Sequence, residues 1–395
     1  MTALRRVPVL LLVALAVASP AGASAPLPDR LAAVLAAARA ETGAEVVDLA
    51  TGRTLFAEND AVPLAPASNE KLALTYAALR TLGPWFRLHT DVLGEGRLVG
   101  GVWRGDLVLK GYGDPTLTHW GLRALAVRLR ALGIRRVTGG LVADESYFDR
   151  ERAGPGWKPS FASEESAPLS ALTVDRDWYV DHTTRRPALA AALLFQRALA
   201  RAGIRVDGRV RVLGAGGFPL ASVYSPPLAE ILRFMDTESD NFTAELLLKQ
   251  LGAVLRGDGS TAAGASVVAE TLAADGVPMT GIEIADGSGL SSLDRLTPRA
   301  LASILELAWN DRELRAYLVD ALAVAGRTGT LKHRLRRPPA RGNVHAKTGT
   351  TDLASALSGY VRDRFAFVIV QNGHPVPYLA ARAAQDRVAQ LLAAQ

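Results

Sequence analysis

Ala65-Pro66-Ala67-Ser68-Asn69-Glu70-Lys71-Leu72 opens the stretch whose reading decides the fold. From Ser68 an alanine- and leucine-rich run reads as a helix to about Leu82, where Gly83-Pro84 stops it. On that helix Ser68 and Lys71, at i and i+3, share one face about 5–6 Å apart at Cβ, so an amine reaches a hydroxyl. At a helix start the backbone N–H groups are unpaired and the dipole is positive, which suits a developing oxyanion. The residue type matters as much as the spacing. Only six of the 45 basic residues are lysines. Arginine keeps its proton at any accessible pH, whereas a desolvated lysine loses it and becomes a base. For Lys71 this requires a drop of roughly three units from about 10.4, or about 4 kcal/mol. Burial and a second cation such as Lys347 would supply it. Ser-x-x-Lys turns up about once by chance in a chain of this length, so alone it also reads as an N-cap and a solvated lysine.

Two further clusters lie downstream. Ser239-Asp240-Asn241 falls between the helical runs Pro227–Met235 and Phe242–Leu255, so a tight turn would present both outer side chains. A hydroxyl there can relay a proton to a leaving amine, and an amide can hold a substrate carbonyl as well as Lys71. The plainer reading is a helix cap. Lys347-Thr348-Gly349-Thr350 precedes a strand-like segment. Gly349 would let an extended peptide lie against the backbone and add along the sheet edge. The N–H of Thr350 would complete an oxyanion hole, with Lys347 and the threonine hydroxyls receiving a carboxylate. An ordinary polar turn is the plainer alternative. Three such clusters in this order and at this separation are far less probable by chance than any one.

The remaining sequence bounds the setting. At 395 residues, 49% hydrophobic and 21% charged, the chain has room for two or three domains and a large core. Arg5-Arg6, the apolar run Val7–Ala18 and the small residues Ala21-Gly22-Ala23 read as a signal peptide cleaved after Ala23 or Ala25. The run falls short of the roughly 20 residues that span a bilayer. The mature protein is therefore expected in the periplasm or another extracytoplasmic space. Cysteine is absent, which excludes disulfides, cysteine catalysis and thiolate metal sites. The six histidines show no metal-ligand spacing, so neither a metal nor a cofactor is expected. A net charge of +6 without any polybasic block suits an anionic wall or membrane surface better than nucleic acid. Gly-x-Ser-x-Gly and phosphate-binding Gly-Lys loops are missing. Asp286-Gly287-Ser288-Gly289-Leu290-Ser291 reads only as a rigid loop.

Along the chain, a helix over Pro28–Thr42 precedes a hairpin, Ala44–Leu49 and Arg53–Glu58 about Thr51-Gly52. Residues 87–223 mix short strands (Asp106–Lys110, Val137–Ala143) with helices over Leu122–Leu132 and Pro187–Ala202. Helices dominate from Pro227 to Leu318. Strands over Gly342–Lys347, Ala354–Arg362 and Phe365–Gln371 then lead to a helix over Pro377–Ala394. This pattern predicts one antiparallel sheet joining the two ends of the chain, residues 24–86 and 224–395, with 87–223 inserted as a separate domain.

Ser-x-x-Lys, Ser-Asp-Asn and Lys-Thr-Gly together resemble the signature of penicillin-binding proteins and class A β-lactamases. More specifically, the chain is similar to D-alanyl-D-alanine carboxypeptidases/endopeptidases of the penicillin-binding protein 4 type, peptidase family S13. Gly113-Asp114-Pro115-Thr116, Ala167-Pro168-Leu169-Ser170-Ala171-Leu172, the Asp286–Ser291 loop and Gly329-Thr330-Leu331 also resemble that family. The resemblance implies an α/β (α+β) fold: a β-lactamase-like transpeptidase domain, its antiparallel sheet flanked by helices, interrupted by an inserted α+β domain. It implies Ser68 as acylated nucleophile, Lys71 as general base, and Ser239 with Asn241 as their partners. Lys347, Thr348 and Thr350 are implied as the carboxylate and oxyanion site, with Gly349 among the binding positions. Asp144, in Asp144-Glu145-Ser146-Tyr147-Phe148, is similar to a family residue near the substrate's diamino-acid side chain and would pair with its ammonium. Peptidoglycan stem peptides are the implied substrate and β-lactams the implied inhibitors. The insertion is shorter than in larger members. The alternatives are a β-lactamase, whose deacylating glutamate is not identifiable in the sequence, and a non-catalytic penicillin-recognising wall-binding protein.

Overall fold

The computed structural model describes residues 25–179 and 182–395; the expected signal peptide lies outside the described residues. The two ends of the chain meet in a six-stranded sheet. Its order is Ala323–Val324, Val344–Thr350, Ala354–Val361, Phe365–Asn372, Glu41–Asp48 and Arg53–Glu58. Every neighbouring pair is antiparallel. The central strands Ala354–Val361 and Phe365–Asn372 are almost wholly buried, because helices cover both faces. One face packs on Leu27–Ala36 and Tyr378–Ala393 through Leu31, Leu35, Phe367, Ile369 and Leu392. The other face packs on a helical layer that includes Glu70–Leu82, Leu228–Glu238, Asn241–Arg256 and Pro298–Asn310.

The second sheet has seven strands, all from residues between His89 and Tyr224. Its long hairpin, His89–Val99 with Val102–Gly111, is antiparallel, while Leu141–Asp144 runs parallel to Val102–Gly111. Helices His119–Ala131 and Pro187–Arg201 close a core of its own around Leu107, Leu125, Leu129 and Phe195.

Most expected elements are present with ends shifted by up to about four residues, and two of the differences have clear local causes. The first helix ends at Ala36, not Thr42, because Glu41 and Thr42 already pair with Asn372 and Gln371. The apolar run Val137–Ala143 is two strands, Arg136–Val137 and Leu141–Asp144, parted by Gly139-Gly140. Lys347-Thr348-Gly349-Thr350 does precede the strand Ala354–Val361, and it is also the second half of a strand itself, Val344–Thr350.

Candidate active site

The helix Glu70–Leu82 begins one turn after Ala67, and Ser68 sits in the 3₁₀ turn Ala67–Asn69 ahead of it. Ala67 takes φ +47°, so the chain bends sharply just before the serine. Lys71, wholly buried, lies one turn on. Its Nζ is 3.1 Å from Ser68 Oγ, 2.8 Å from Asn241 Oδ1 and 2.6 Å from the main-chain oxygen of Ser288. Ser239 closes helix Leu228–Glu238 in a left-handed conformation, and Asp240 caps the next helix through the N–H of Thr243. The two-residue turn presents Ser239 and Asn241 toward different lysines. Lys347 Nζ donates to Ser239 Oγ at 2.8 Å and to the Thr348 carbonyl at 2.9 Å. The three clusters thus converge through two buried lysines.

Burial is the main cause of lowered basicity in both. Lys71 is pulled below the usual lysine value by desolvation, against Asp286, Asp236, Glu245 and Asp240, which favour its charge. Lys347 is pulled down to about 7 by burial and then by the charge of Lys71, with Asp236 opposing. The repulsion between the two ammonium groups is mutual, and it adds to burial in lowering Lys347.

The Lys347 strand presents an edge. The short strand Ala323–Val324 pairs only with Ala346 and His345, so among the described residues no strand pairs with Lys347–Thr350 on that side. Val344 offers its carbonyl toward that side and the N–H of Thr351 points to the opposite one, so alternation directs the main-chain groups of Thr348 and Thr350 to the open edge. The same alternation puts Lys347 and Gly349 on the helix face and Thr348 and Thr350 on the other. Nζ and the threonine hydroxyls do not share a face. Gly349 also has a use inside the fold. A Cβ there would stand 3.0 Å from Pro66 O and 3.1 Å from Ala67 Cβ, so the missing side chain seats the strand against the turn carrying Ser68.

Sequence reasoning missed a layer of groups behind the lysines. Asp286 Oδ1 accepts from the N–H groups of Ser288 and Gly289, and its Oδ2 accepts from Ser291 N–H and the Trp157 indole. Glu245 Oε1 accepts from the N–H groups of Gly287 and Ser288. Together they aim the Ser288 carbonyl at Lys71. Gly289 makes the fit possible: at φ +80°, a Cβ there would lie 1.9 Å from Ala67 O. Burial and neighbouring carboxylates push Glu70 and Asp294 well up and Glu245 to about 8. The one available signal was Glu245 at i+4 from Asn241, on the same helix face.

Asp144 already has partners inside the protein. Its side chain is closed to solvent and ion-paired to Lys110 at 3.1 Å, and the N–H groups of Ser146 and Ala215 take its two oxygens. The pairing follows from register: Lys110 and Asp144 stand opposite each other on adjacent parallel strands.

A family profile described as the D-Ala-D-Ala carboxypeptidase 3 (S13) family matches residues 26–186 and 179–395. The chain belongs to this family. It is 33% identical to the D-alanyl-D-alanine carboxypeptidase of Actinomadura sp. (strain R39), over 90% of this chain and 81% of that protein. It is 34% identical to carboxypeptidase DacB of Mycolicibacterium smegmatis, over 89% of this chain and 82% of that one. Among solved structures it is similar to penicillin binding protein 4 (dacB) from Haemophilus influenzae. The TM-score is 0.81 at 25% identity, covering 90% of this chain and 97% of the other. The penicillin-binding architecture expected from the sequence is thus the architecture of this S13 peptidase.

Proposed function

We propose that this S13 peptidase is a serine DD-peptidase, hydrolysing D-Ala-D-Ala or D-Ala–diamino-acid bonds of peptidoglycan stem peptides through an acyl-enzyme on Ser68. One observation carries the mechanism. A neutral lysine has two N–H groups and one lone pair. Ser288 O and Asn241 Oδ1, at 2.6 and 2.8 Å, take the two N–H groups of Lys71. The lone pair is left facing Ser68 Oγ at 3.1 Å. Lys71 then removes the hydroxyl proton as Oγ attacks the penultimate carbonyl. The N–H groups of Ser68 and Thr350 hold the oxyanion. Ser239, hydrogen-bonded to Lys347, relays a proton to the departing amine. Water cleaves the ester, returning Ser68 and releasing the shortened peptide.

The uncovered edge of Lys347–Thr350 is suited to an extended peptide lying antiparallel along it. Lys347, positively charged below its pKa of about 7, attracts the terminal carboxylate. β-Lactams acylate the same hydroxyl. Residues 87–223 form a separate inserted domain in this reading, supported by their own sheet and core. A wall peptidase works outside the cytoplasmic membrane, and residues 1–23 have the pattern of an export signal, so the mature enzyme belongs in the periplasm or an equivalent space. A net charge of +6 favours peripheral contact with the anionic wall or membrane surface. Release of D-alanine from a peptide ending in D-Ala-D-Ala tests the proposal. The wild type should release it and Ser68→Ala should not; no release by the wild type would overturn the reading.

A further inference from the structure

We infer that Arg176 and the main-chain carbonyl of Glu165 are positioning groups for the Ser239-Asp240-Asn241 turn, an inference that rests on the peptidase reading above. Both come from the section between His89 and Tyr224, in sequence far from the turn they hold. Asp240 divides its carboxylate between two tasks. Oδ1 caps the following helix by accepting from Thr243 N–H at 2.8 Å, and Oδ2 accepts from Arg176 Nη2. Arg176 Nη1 also donates to Thr243 Oγ1 at 3.3 Å. The guanidinium lies over the rings of Phe234 and Phe242, at 5.4 and 5.3 Å from their centroids. The cation is thus held on several sides and aimed at the middle residue of the turn.

The backbone under Arg176 is unusual. Asp175, Arg176 and Asp177 have φ of +50°, +57° and +55°, three consecutive non-glycine residues in the left-handed region. Such conformations cost energy, persist only where surroundings enforce them, and gather at functional sites. Here the run brings Arg176 to Asp240, next to Ser239, which is left-handed itself at +61°.

Glu165 acts on the other half of the turn. Asn241 Nδ2 donates to the Glu165 carbonyl at 3.1 Å. Tying the nitrogen end of the amide to a carbonyl leaves Oδ1 to accept from Lys71 at 2.8 Å. The flipped amide would set NH₂ against NH and remove one of the two acceptors that leave the lysine lone pair for Ser68. The second hydrogen on Nδ2 remains available to a substrate carbonyl. Neither Arg176 nor Glu165 O bonds to Ser68, Lys71 or Lys347, so their effect passes through the turn.

Arg176 lines two cavities, of about 460 and 300 Å³, so a small cation can enter the space left by Arg176→Ala. The experiment measures labelled-penicillin acylation rates and Tm for wild type, Arg176→Ala, Asp240→Asn and the double variant, each with ethylguanidinium or urea. A misplacement of about 1 Å in a catalytic group typically costs about 10²-fold, and a loss of that order is expected for Arg176→Ala. Ethylguanidinium should restore most of the rate and urea none. Asp240→Asn, which keeps a capping oxygen, should slow acylation similarly and remove the rescue in the double variant. Arg176→Ala acylating at the wild-type rate would overturn the inference. So would a slowed variant that ethylguanidinium does not restore. A wild type that takes no label at all fails the peptidase reading instead.

Discussion

Ser288 accepts a hydrogen bond from Lys71 Nζ at 2.6 Å through its main-chain oxygen, the shortest of the three contacts that fix the lysine. A backbone carbonyl in a pinned loop is a fixed acceptor, so the lysine's orientation depends on the loop staying in place. Asp286 and Glu245 keep it there.

Asp286→Ala should therefore act twice. It removes the acceptor for three backbone N–H groups and an indole, and hydrogen bonds to a charged group contribute about 1.5–3 kcal/mol each, so Tm should fall clearly. Acylation of whatever folds should be slowed about 10²-fold, since Ser288 O shifts from Lys71. Thermal unfolding beside a labelled-penicillin time course reads both effects.

The two lysines should respond differently to arginine. Lys71→Arg should abolish acylation, because a guanidinium keeps its proton. Lys347→Arg preserves charge and should chiefly raise KM for peptides bearing a terminal carboxylate. Steady-state kinetics on amidated and free-acid peptides would separate the roles.

Asp236 predicts a pH effect. It lies below both lysines: Thr75, one helical turn after Lys71, donates to its Oδ2 at 2.6 Å, and Ser239, three residues after it, holds Lys347. Burial raises Asp236 to about 6, against the charges of Lys347 and Lys71. Above that pH its negative charge favours the protonated lysines, whereas catalysis needs Lys71 neutral. Removing the charge in Asp236→Asn should let Lys71 deprotonate at lower pH, shifting the acid limb of kcat/KM downward by about one unit. Asp286, Glu245 and Asp240 also favour the charge of Lys71, so the shift should be partial. A kcat/KM profile from pH 5 to 9, spanning about two units either side of neutrality, checks it; an unmoved or raised limb contradicts it.

Much of this site was legible from residue types because its chemistry is local: Ser68 and Lys71 share one turn, and Ser239 and Asn241 share another. The sheet was legible because Phe365–Val370 is a continuous apolar run and the neighbouring segments read as short strands parted by turns. What escaped depends on distant partners. Nothing in Asp286–Ser291 reveals that its carbonyl meets Lys71, since Glu245 orients it from another helix. Arg176 appears as one of many arginines until the left-handed run delivers it to Asp240. Asp144 is the complementary case: the sequence shows an acid in a suggestive segment but not the strand register that sets Lys110 beside it.

That register makes its own prediction. Asp144→Asn should lower stability and leave unchanged the preference between peptides whose diamino-acid amine is free or acetylated. A selective loss on the free-amine peptide would show that Lys110 yields its partner to substrate.

The most direct test of the central claim is mass spectrometry of the protein after reaction with labelled penicillin. The account predicts one long-lived adduct, on the peptide containing Ser68, and none in Ser68→Ala. A label elsewhere, or no adduct at all, would contradict it, and release within seconds would mean that the ester is hydrolysed as a β-lactamase does.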